Sequence, residues 1–422
     1  MEKKTTDSRV VSKERASVLK GRIQDYLDEK DNIITGLHVE EKIRANQEKI
    51  KKHLSATEEQ WNDWHWQIRN RFKSAKELRN ILDLTERELQ SIEKVGQEFR
   101  WAVSPYYLSL ITEHNYLNDP VYLQSIPLEL EIDCEEGEDD PMGEELTNPA
   151  ECVTRRYPDR LIINVTNQCA MYCRHCQRRR NIGEVDTARS KKDLQEALDY
   201  IKENKEIRDV LITGGDPLTL SDNKLDWLLT ELDKIEHVEM KRLGTRMLVT
   251  LPQRITPELC EMLKKHQPIY VNTHFNSPLE ITKESKRACE MLSNNGFPLG
   301  NQAVLLKGIN DNPHIMKKLN QELLKIRVRP YYIFHAKAVK GTAHFRTAVS
   351  AGIEIMENLR GYTSGLGIPT FIVNAPKGKG KTPMLPQYLI SQTRESILIR
   401  TWEGEVVEYF DKELISEEEK SH

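Results

Sequence analysis

Short apolar runs, separated by amphipathic stretches of helical length, constrain the fold of this chain more than any other feature. The runs are RLIINVT (160–166), DVLITGG (209–215), IYVNTHF (269–275), LGNQAVLL (299–306), RPYYIFHA (329–336) and the more polar EMKRLGT (239–245). Intervals of roughly 25 to 45 residues leave room for one helix between strands, as a parallel sheet requires. Six such units predict an α/β fold with an incomplete (β/α)6 barrel, since eight would close a full one.

The segments on either side of these units have different patterns. Residues 1–55 are polar and predict a helical or partly disordered arm, and residues 56–150 predict an N-terminal helical subdomain that ends in an acidic linker. Residues 151–365 would form the partial barrel. Residues 366–422 would add a lysine-rich loop, a β-hairpin and a tail, because residues 388–410 alternate apolar and polar side chains.

Composition excludes several classes of protein. The 62 Lys and Arg against 66 Asp and Glu give a net charge of -4, which is not typical of a nucleic-acid-binding chain. No apolar run approaches the roughly 18 residues of a membrane span, and the first residues lack the apolar core of a signal peptide. The seven cysteines are an odd number and three are bunched, which argues against a disulfide framework. We therefore expect a cytoplasmic protein with no membrane or nucleic-acid partner.

Three of the cysteines form a CxxxCxxC motif directly after a predicted strand: Cys169, Cys173 and Cys176. A [4Fe–4S] cluster has four irons, so three cysteine ligands leave one iron open to an outside ligand. Zinc with a distant fourth ligand is the alternative for the triplet taken alone. A non-enzymatic version of that alternative is a zinc module that binds phosphate or nucleic acid through the arginines of this stretch, Arg174, Arg178, Arg179 and Arg180.

A second unusual stretch is VNAPKGKGKTPMLP (373–386), where three lysines alternate with glycines between prolines. It cannot form a regular helix or a central strand, and in isolation it would be interpreted as a flexible basic surface loop. A lysine held away from water with a lowered pKa can instead form a Schiff base with pyridoxal phosphate, whose ring stabilises chemistry at an amino acid's nitrogen. The stretch alone leaves both interpretations open.

The cysteine motif and a GGDP element after the second predicted strand (Gly214, Gly215 and Asp216) make the chain resemble the radical S-adenosylmethionine (SAM) superfamily. In that superfamily, SAM chelates the open iron, and the reduced cluster cleaves SAM to a 5′-deoxyadenosyl radical. The resemblance implies that Cys169, Cys173 and Cys176 hold the cluster. It also implies that the GGD element binds SAM and that an electron donor reduces the cluster.

A closer resemblance runs in order through WNDWHWQIRNR, PYYLSLI, RYPDR, MYCRHCQRRR, NTHFN, GNQ, IRVRPYY and GKTP. These stretches are similar to the lysine 2,3-aminomutase family, which combines radical SAM chemistry with pyridoxal phosphate. The resemblance implies that Lys381 bears the pyridoxal and that Arg178 binds the substrate α-carboxylate, as a guanidinium fork can do. It further implies cofactor contacts from Arg156, Arg160, His274 and Gln302, with the two arginines near the pyridoxal phosphate group.

The chain departs from this family at the position that would read the substrate side chain. Where the lysine enzymes hold the distal ammonium with two aspartates, this chain has Lys337 and Asn374. A lysine substrate would meet a like charge there, whereas an anionic side chain would gain an ion pair and an amide donor. We therefore expect a 2,3-aminomutase, an isomerase that interconverts L-glutamate and β-glutamate (3-aminoglutarate). The alternatives are lysine, aspartate or glutamine as substrate, or a pocket in which neither residue touches the substrate.

A second departure concerns zinc. The family's C-terminal cysteine cluster is missing from DKELISEEEKSH, and Asn312 stands where the family has an internal cysteine. We therefore predict no zinc. The remaining cysteines, Cys134, Cys152, Cys260 and Cys289, would be ordinary cysteines. The resemblance also implies a homo-oligomer.

Overall fold

The computed structural model describes residues 7–133, 136–393 and 395–410, and its central element is a nine-stranded sheet whose spatial order equals the chain order. The strands are β1 (Val153–Arg155), β2 (Arg160–Asn164), β3 (Asp209–Thr213), β4 (Met240–Gly244), β5 (Ile269–Thr273), β6 (Leu299–Leu305), β7 (Arg329–His335), β8 (Thr370–Ala375) and β9 (Gly380–Pro383). Strands β2 to β8 are parallel, and β1 and β9 are antiparallel edges. The predicted α/β partial barrel is confirmed.

All six predicted strands are present, as β2 to β7, but the parallel sheet does not stop at six. Strand β8 pairs in parallel with β7, from Tyr332 beside Thr370 to Phe334 beside Ile372. It was missed because its apolar core, the FIV of TFIVNA, is too short to stand out beside the lysine-rich stretch that follows. That stretch also contributes β9, which pairs with β8 only and so avoids the central position that its prolines and glycines exclude.

Nine helices precede the sheet in the described chain, and seven more connect the parallel strands. The helices are α1 (Ser8–Gly21), α2 (Gln24–Glu29), α3 (Glu40–Leu54), α4 (Glu58–Asn62), α5 (Trp64–Arg69), α6 (Ala75–Leu78), α7 (Glu86–Glu98), α8 (Pro105–Leu108), α9 (Pro120–Ser125), α10 (Lys191–Glu203), α11 (Asp222–Asp233), α12 (Met247–Thr250), α13 (Pro257–Lys264), α14 (Lys283–Asn294), α15 (Pro313–Lys325) and α16 (Val349–Leu359). In α10 the buried residues recur at helical spacing, with Leu194, Leu198 and Ile201 facing the core. Within the described residues, no helix is long and apolar enough to cross a membrane.

The polar N-terminal arm is helical where the structure describes it. Helix α3 buries Ile43 and Ile50 in the same hydrophobic core as the barrel strands, whereas α1 has no buried residue. The arm is therefore packed on the rest of the chain along α3. The boundaries expected near residues 55, 150 and 365 stay predictions.

The expected C-terminal antiparallel hairpin is present, as part of a three-stranded antiparallel sheet. Its strands are β10 (Leu389–Gln392), β11 (Ser396–Arg400) and β12 (Val406–Phe410). The alternating pattern from 388 to 410 is correct as a β signal, and it contributes three strands, because β10 ends at Gln392 and β11 begins at Ser396. The predictions for Cys134 and for the tail after residue 410 lie outside the described residues.

A buried carboxylate ties the helical N-terminal part to the barrel. Glu131 accepts hydrogen bonds from Arg174 Nε at 2.9 Å and from Arg174 Nη2 and Arg179 Nη2 at 2.5 Å each. The Glu131 side chain is 0% exposed, and those of Arg174 and Arg179 are 1% and 8% exposed. Because Arg174 lies within the cysteine motif and Arg179 follows it by three residues, Glu131 anchors the stretch that carries the motif.

We predict that Glu131→Gln lowers the free energy of unfolding by about 3–5 kcal/mol, because it leaves two buried arginines without their counter-charge. Denaturant unfolding of the apoprotein measures this change. Glu129→Gln is the matched control, because Glu129 is exposed and its single ion pair to Lys94 is long, at 3.4 Å. The control should change stability by less than about 0.5 kcal/mol. A loss of stability in Glu131→Gln that equals the control would contradict the anchoring role.

Candidate functional site

One cavity of about 320 Å³ at the carboxyl ends of the parallel strands contains every residue predicted for the site. These are Cys169, Cys173, Cys176, Arg156, Arg160, Arg178, Gly214, Gly215, Asp216, His274, Gln302, Lys337, Asn374 and Lys381. Parallel strands place their carboxyl ends on one edge, which is why side chains separated by up to 225 positions in sequence meet there. The structure thus brings the predicted set together. The role of each member stays a prediction.

The GGD element is held against the cysteine loop by backbone contacts. Asp216 N donates to Gln168 O at 2.8 Å, and Gly215 N donates to Thr166 O at 2.5 Å. Gly214 has φ +126°, and a Cβ at Gly215 would lie 2.4 Å from Gln168 O. Because these neighbours are backbone atoms, only glycine permits the approach. The element therefore positions the start of the cysteine loop as well as lining the cavity.

The Asp216 carboxylate forms its hydrogen bonds with other groups of the protein. It accepts hydrogen bonds from Thr245 Oγ1 and Arg246 N, both at 2.7 Å, and from Leu218 N at 3.1 Å. Asp216 is buried, and this burial raises the pKa of its carboxyl. The carboxylate fixes the loop after β4, so Asp216 joins the second and third strand ends of the barrel.

Arg246 is a site residue that the sequence analysis missed. Its Nη1 donates to Cys173 Sγ at 2.8 Å, and its Nη2 donates to Glu280 at 2.7 Å and to Gln124 at 2.6 Å. The neighbouring acidic groups raise the pKa of Arg246 despite its burial, so it stays charged. A lone arginine gives no motif. Its place two residues after β4, at the catalytic edge of a barrel, is the signal that could have identified it.

The cysteine loop fits a cluster better than a single ion. All three thiols line the same cavity, and burial raises the pKa of Cys169 and Cys176, which disfavours free thiolates. Bound metal reverses that preference, because a coordinating thiol is deprotonated. Within residues 7–133, 136–393 and 395–410, no three His, Cys, Asp or Glu side chains converge on one ion position. A cluster needs no such convergence, since each thiolate reaches a different iron.

Lys381 lies in edge strand β9, directly opposite Asn374 of β8. Its backbone N–H donates to the Tyr157 hydroxyl at 3.0 Å, and its ammonium lies 4.8 Å from the ring centre of Tyr332. Burial, together with nearby arginines, lowers the pKa of Lys381 to about 8. The lysine is therefore held in place, partly buried, with a pKa suited to nucleophilic attack on a carbonyl.

The two residues expected to read the substrate side chain lie beside this lysine. Lys337 donates a hydrogen bond to Gln177 Oε1, and burial with Arg178 and Arg156 nearby lowers the pKa of Lys337 to about 7. Asn374 Nδ2 is buried and has no hydrogen-bond partner among the described residues. Gln177 was not predicted. Lys337 and Asn374 together present donors that form no hydrogen bond or ion pair with a carboxylate in the described part of the chain.

A carboxylate from the acidic linker holds the arginine cluster. Glu144 accepts from Arg178 Nε at 3.1 Å and from Arg156 Nη2 at 2.8 Å, and Arg180 lies 3.4 Å away. These arginines hold the pKa of Glu144 at about 2. Composition alone predicted this segment as an acidic linker between modules. Nothing in its local pattern distinguishes Glu144 from its acidic neighbours.

His274 and Gln302 line the same cavity and contact each other. Gln302 lies on β6, where buried and half-buried residues alternate, so its side chain shares the cavity-facing side with Val304. His274 Nδ1 donates a hydrogen bond to the Gln302 carbonyl oxygen at 2.8 Å. Burial lowers the pKa of His274 to about 4, so its ring is neutral near pH 7.

The cysteine loop, the GGD element and the parallel strand ends define a radical SAM enzyme. A model of the radical SAM superfamily matches residues 163–319. A second family model, described as lysine-2,3-aminomutase, matches residues 356–421. The chain belongs to the 2,3-aminomutase family of radical SAM isomerases, and that family membership implies a [4Fe–4S] cluster and SAM.

Curated relatives cover nearly the whole chain. Glutamate 2,3-aminomutase of Clostridioides difficile (strain 630) is 60% identical over 405 residues, which is 96% of each chain. L-lysine 2,3-aminomutase of Acetoanaerobium sticklandii is 50% identical and covers 86% of this chain and 87% of that protein. Among solved structures, Streptococcus suis SuiB bound to S-adenosylmethionine aligns with 52% of this chain and 51% of its own, at 16% identity and a TM-score of 0.40.

We predict that Gly215→Ala lowers iron incorporation after anaerobic reconstitution by at least about half, because the added Cβ displaces the backbone at Gln168 and with it the cysteine loop. Iron and sulfide analysis measures the effect. Gly365→Ala is the control, since a Cβ at Gly365 would meet nothing within 4 Å. Normal iron content in Gly215→Ala would show that the loop tolerates the shift.

Proposed function

We propose that this chain is a pyridoxal phosphate-dependent 2,3-aminomutase that interconverts L-glutamate and β-glutamate. The observation that carries the proposal is the placement of Lys337 and Asn374 beside Lys381 and within the same cavity as Arg178. The cavity therefore offers cationic and amide donors for two carboxylates around one amine-reactive lysine.

The residues fit the cofactors of such an enzyme. The cluster with SAM supplies a carbon radical that removes a hydrogen from the amino acid, and pyridoxal phosphate supports the shift of the amino group. Lys381 would bond to the pyridoxal, since its pKa of about 8 leaves a fraction of free amine near neutral pH. Arg156 and Arg160 would take the phosphate. Arg156 Nε is buried without a partner among the described residues, as an anion-binding donor would be.

Arg178 would hold the α-carboxylate, because its guanidinium can form two parallel hydrogen bonds with a planar carboxylate. Lys337 would form an ion pair with the γ-carboxylate, and the unpartnered Nδ2 of Asn374 would donate to it. The side chain of Lys337 extends roughly 2–3 Å farther than an aspartate and fills the space left by a substrate shorter than lysine. The two ends of glutamate are thereby fixed while C2 and C3 remain free to react.

Lysine is the second candidate substrate, because several relatives are L-lysine 2,3-aminomutases at about half identity. Its distal ammonium would lie against Lys337 in a buried site that already contains Arg156 and Arg178. A like charge in that position costs several-fold in affinity at least, and Glu144, the carboxylate that acts on Lys337, is already paired with Arg156 and Arg178. Glutamate satisfies every donor that lysine would leave unpaired.

The proposal extends to the enzyme's surroundings. The cysteines of the described chain are all free thiols, which supports a reducing, cytoplasmic setting. An electron donor would reduce the cluster. A homo-oligomer is supported by the apolar side chains exposed on the C-terminal sheet, among them Leu389, Val406, Tyr409 and Phe410.

We expect the reconstituted enzyme to convert glutamate under strict anaerobic reduction and to leave lysine, aspartate and glutamine unchanged. Replacing Lys337 and Asn374 together by aspartate should lower glutamate turnover by roughly a hundredfold, because both γ-carboxylate donors become acceptors. Chromatographic assay of β-amino acid products measures both results.

Lys340→Asp is the matched control for this substitution. It also replaces a lysine by an aspartate, three residues after Lys337, but Lys340 is exposed and paired with Glu98. Its glutamate turnover should equal that of the unaltered enzyme. Turnover of lysine by the unaltered enzyme, or full glutamate activity in the doubly substituted variant, would contradict the proposed substrate.

The lowered pKa of Lys337 predicts a pH dependence of glutamate binding. A bound γ-carboxylate favours the ammonium and raises the Lys337 pKa above about 7, so binding above this pH takes up a proton. Affinity should be steady below pH 7 and fall by up to tenfold per pH unit above it. Titration of the pyridoxal absorption band with glutamate at several pH values measures this. Lys337→Arg stays charged, so it should lack the fall in affinity that comes from loss of the Lys337 proton. The substrate amine titrates equally in both proteins. Identical pH profiles would contradict the role of Lys337.

A further inference from the structure

We propose that Glu144 is a positioning residue that orients Arg178 for the α-carboxylate of the amino acid and links it to Arg156. This inference deepens the proposed function and rests on it. Glu144 comes from the acidic linker, which neither the sequence motifs nor the family models single out. Its carboxylate would act on the substrate only through the arginines.

Glu144 contacts one edge of the Arg178 guanidinium group. Glu144 Oε1 lies 3.1 Å from Arg178 Nε and 3.0 Å from Arg178 Nη2, and Oε2 lies 3.1 Å from Nε. The same Oε1 accepts from Arg156 Nη2 at 2.8 Å. One carboxylate thus holds both the arginine expected to bind substrate and an arginine expected to bind the cofactor phosphate. The distance between the two guanidinium groups is therefore fixed.

Glu144 approaches Arg178 from outside the reaction cavity. It lines a neighbouring cavity of about 380 Å³ together with Arg180 and Asn148, whereas Arg178 and Arg156 line the cavity that contains Lys337 and Lys381. Within the part of the chain that the structure describes, Arg178 Nη1 donates no hydrogen bond to the protein. Glu144 therefore occupies the Nε side of the guanidinium and leaves the Nη1 side for a ligand carboxylate.

The charge of Glu144 explains how three arginines remain close together. Arg156, Arg178 and Arg180 all pair with this one carboxylate, whose side chain is 8% exposed. Without it, the guanidinium groups would repel one another in a poorly hydrated site and would adopt other rotamers. A neutral residue at position 144 should therefore leave Arg178 in the cavity but without the orientation that binds the α-carboxylate.

Glu144→Gln tests this role, because it keeps the size of the side chain and removes its charge. Glu145→Gln is the matched control, as Glu145 is the next residue and is exposed. Dissociation constants for glutamate and for 4-aminobutanoate, which is glutamate without its α-carboxylate, are read from the absorption of protein loaded with pyridoxal phosphate. We expect Glu144→Gln to weaken glutamate binding about tenfold and to change 4-aminobutanoate binding by less than about twofold. Glu145→Gln should change neither.

Arg178→Met provides the second arm. If Glu144 acts through Arg178, Glu144→Gln should add no further loss of glutamate binding once Arg178 is replaced. Equal weakening of both ligands by Glu144→Gln would indicate general distortion and would overturn the proposal. So would a full tenfold effect of Glu144→Gln in the Arg178→Met background.

Failure of the substrate proposal gives a different result. If the unaltered protein binds lysine and not glutamate, the substrate is wrong, and the same comparison is made with lysine and 1,5-diaminopentane. Glu144→Gln should then weaken lysine alone, since every α-amino acid shares the carboxylate. Equal loss for lysine and the diamine would overturn the role of Glu144 independently of the substrate.

Discussion

This site depends on several positively charged side chains that are buried away from water. Lys337, Lys381, Arg156 and Arg178 share one cavity, and burial lowers the pKa of both lysines. Such a collection is costly without anions, and Glu144 is the carboxylate that pairs with the two arginines. The remaining cationic and amide donors define what the cavity can accept. Anionic groups match these donors, whereas a further ammonium does not.

The cysteine side of the cavity is built by different forces. There the backbone contacts between the GGD element and the cysteine loop, and the Arg246 hydrogen bond to Cys173, set the geometry. The metal-binding side therefore depends on close backbone packing and one buried ion network. The side that contains the lysines and arginines depends on balanced charge. The barrel holds both sides at a fixed separation, because they lie at the ends of strands of one continuous sheet.

The sequence predicted those features that depend on local pattern. Strands β2 to β7 have apolar runs of ordinary length, and the cysteine triplet carries its chemistry in its spacing. The missed features depend on long-range contacts. Arg246 and Glu144 acquire their roles from partners 73 and 34 positions away, and β8 becomes a strand because β7 and β9 flank it. Residue type and spacing cannot reveal a partner that only the folded chain supplies.

The pairing of β8 with β9 has an evolutionary consequence. Asn374 and Lys381 face each other across a hairpin that spans residues 370–383, so the proposed determinant of substrate choice and the expected cofactor lysine are inherited as one short unit. Lys337 lies two residues past the end of β7, the strand that pairs with β8. A lineage could change its substrate by altering these two neighbouring strand ends while the radical-generating half of the barrel stayed the same. New specificities in this family can therefore arise by small, local replacements.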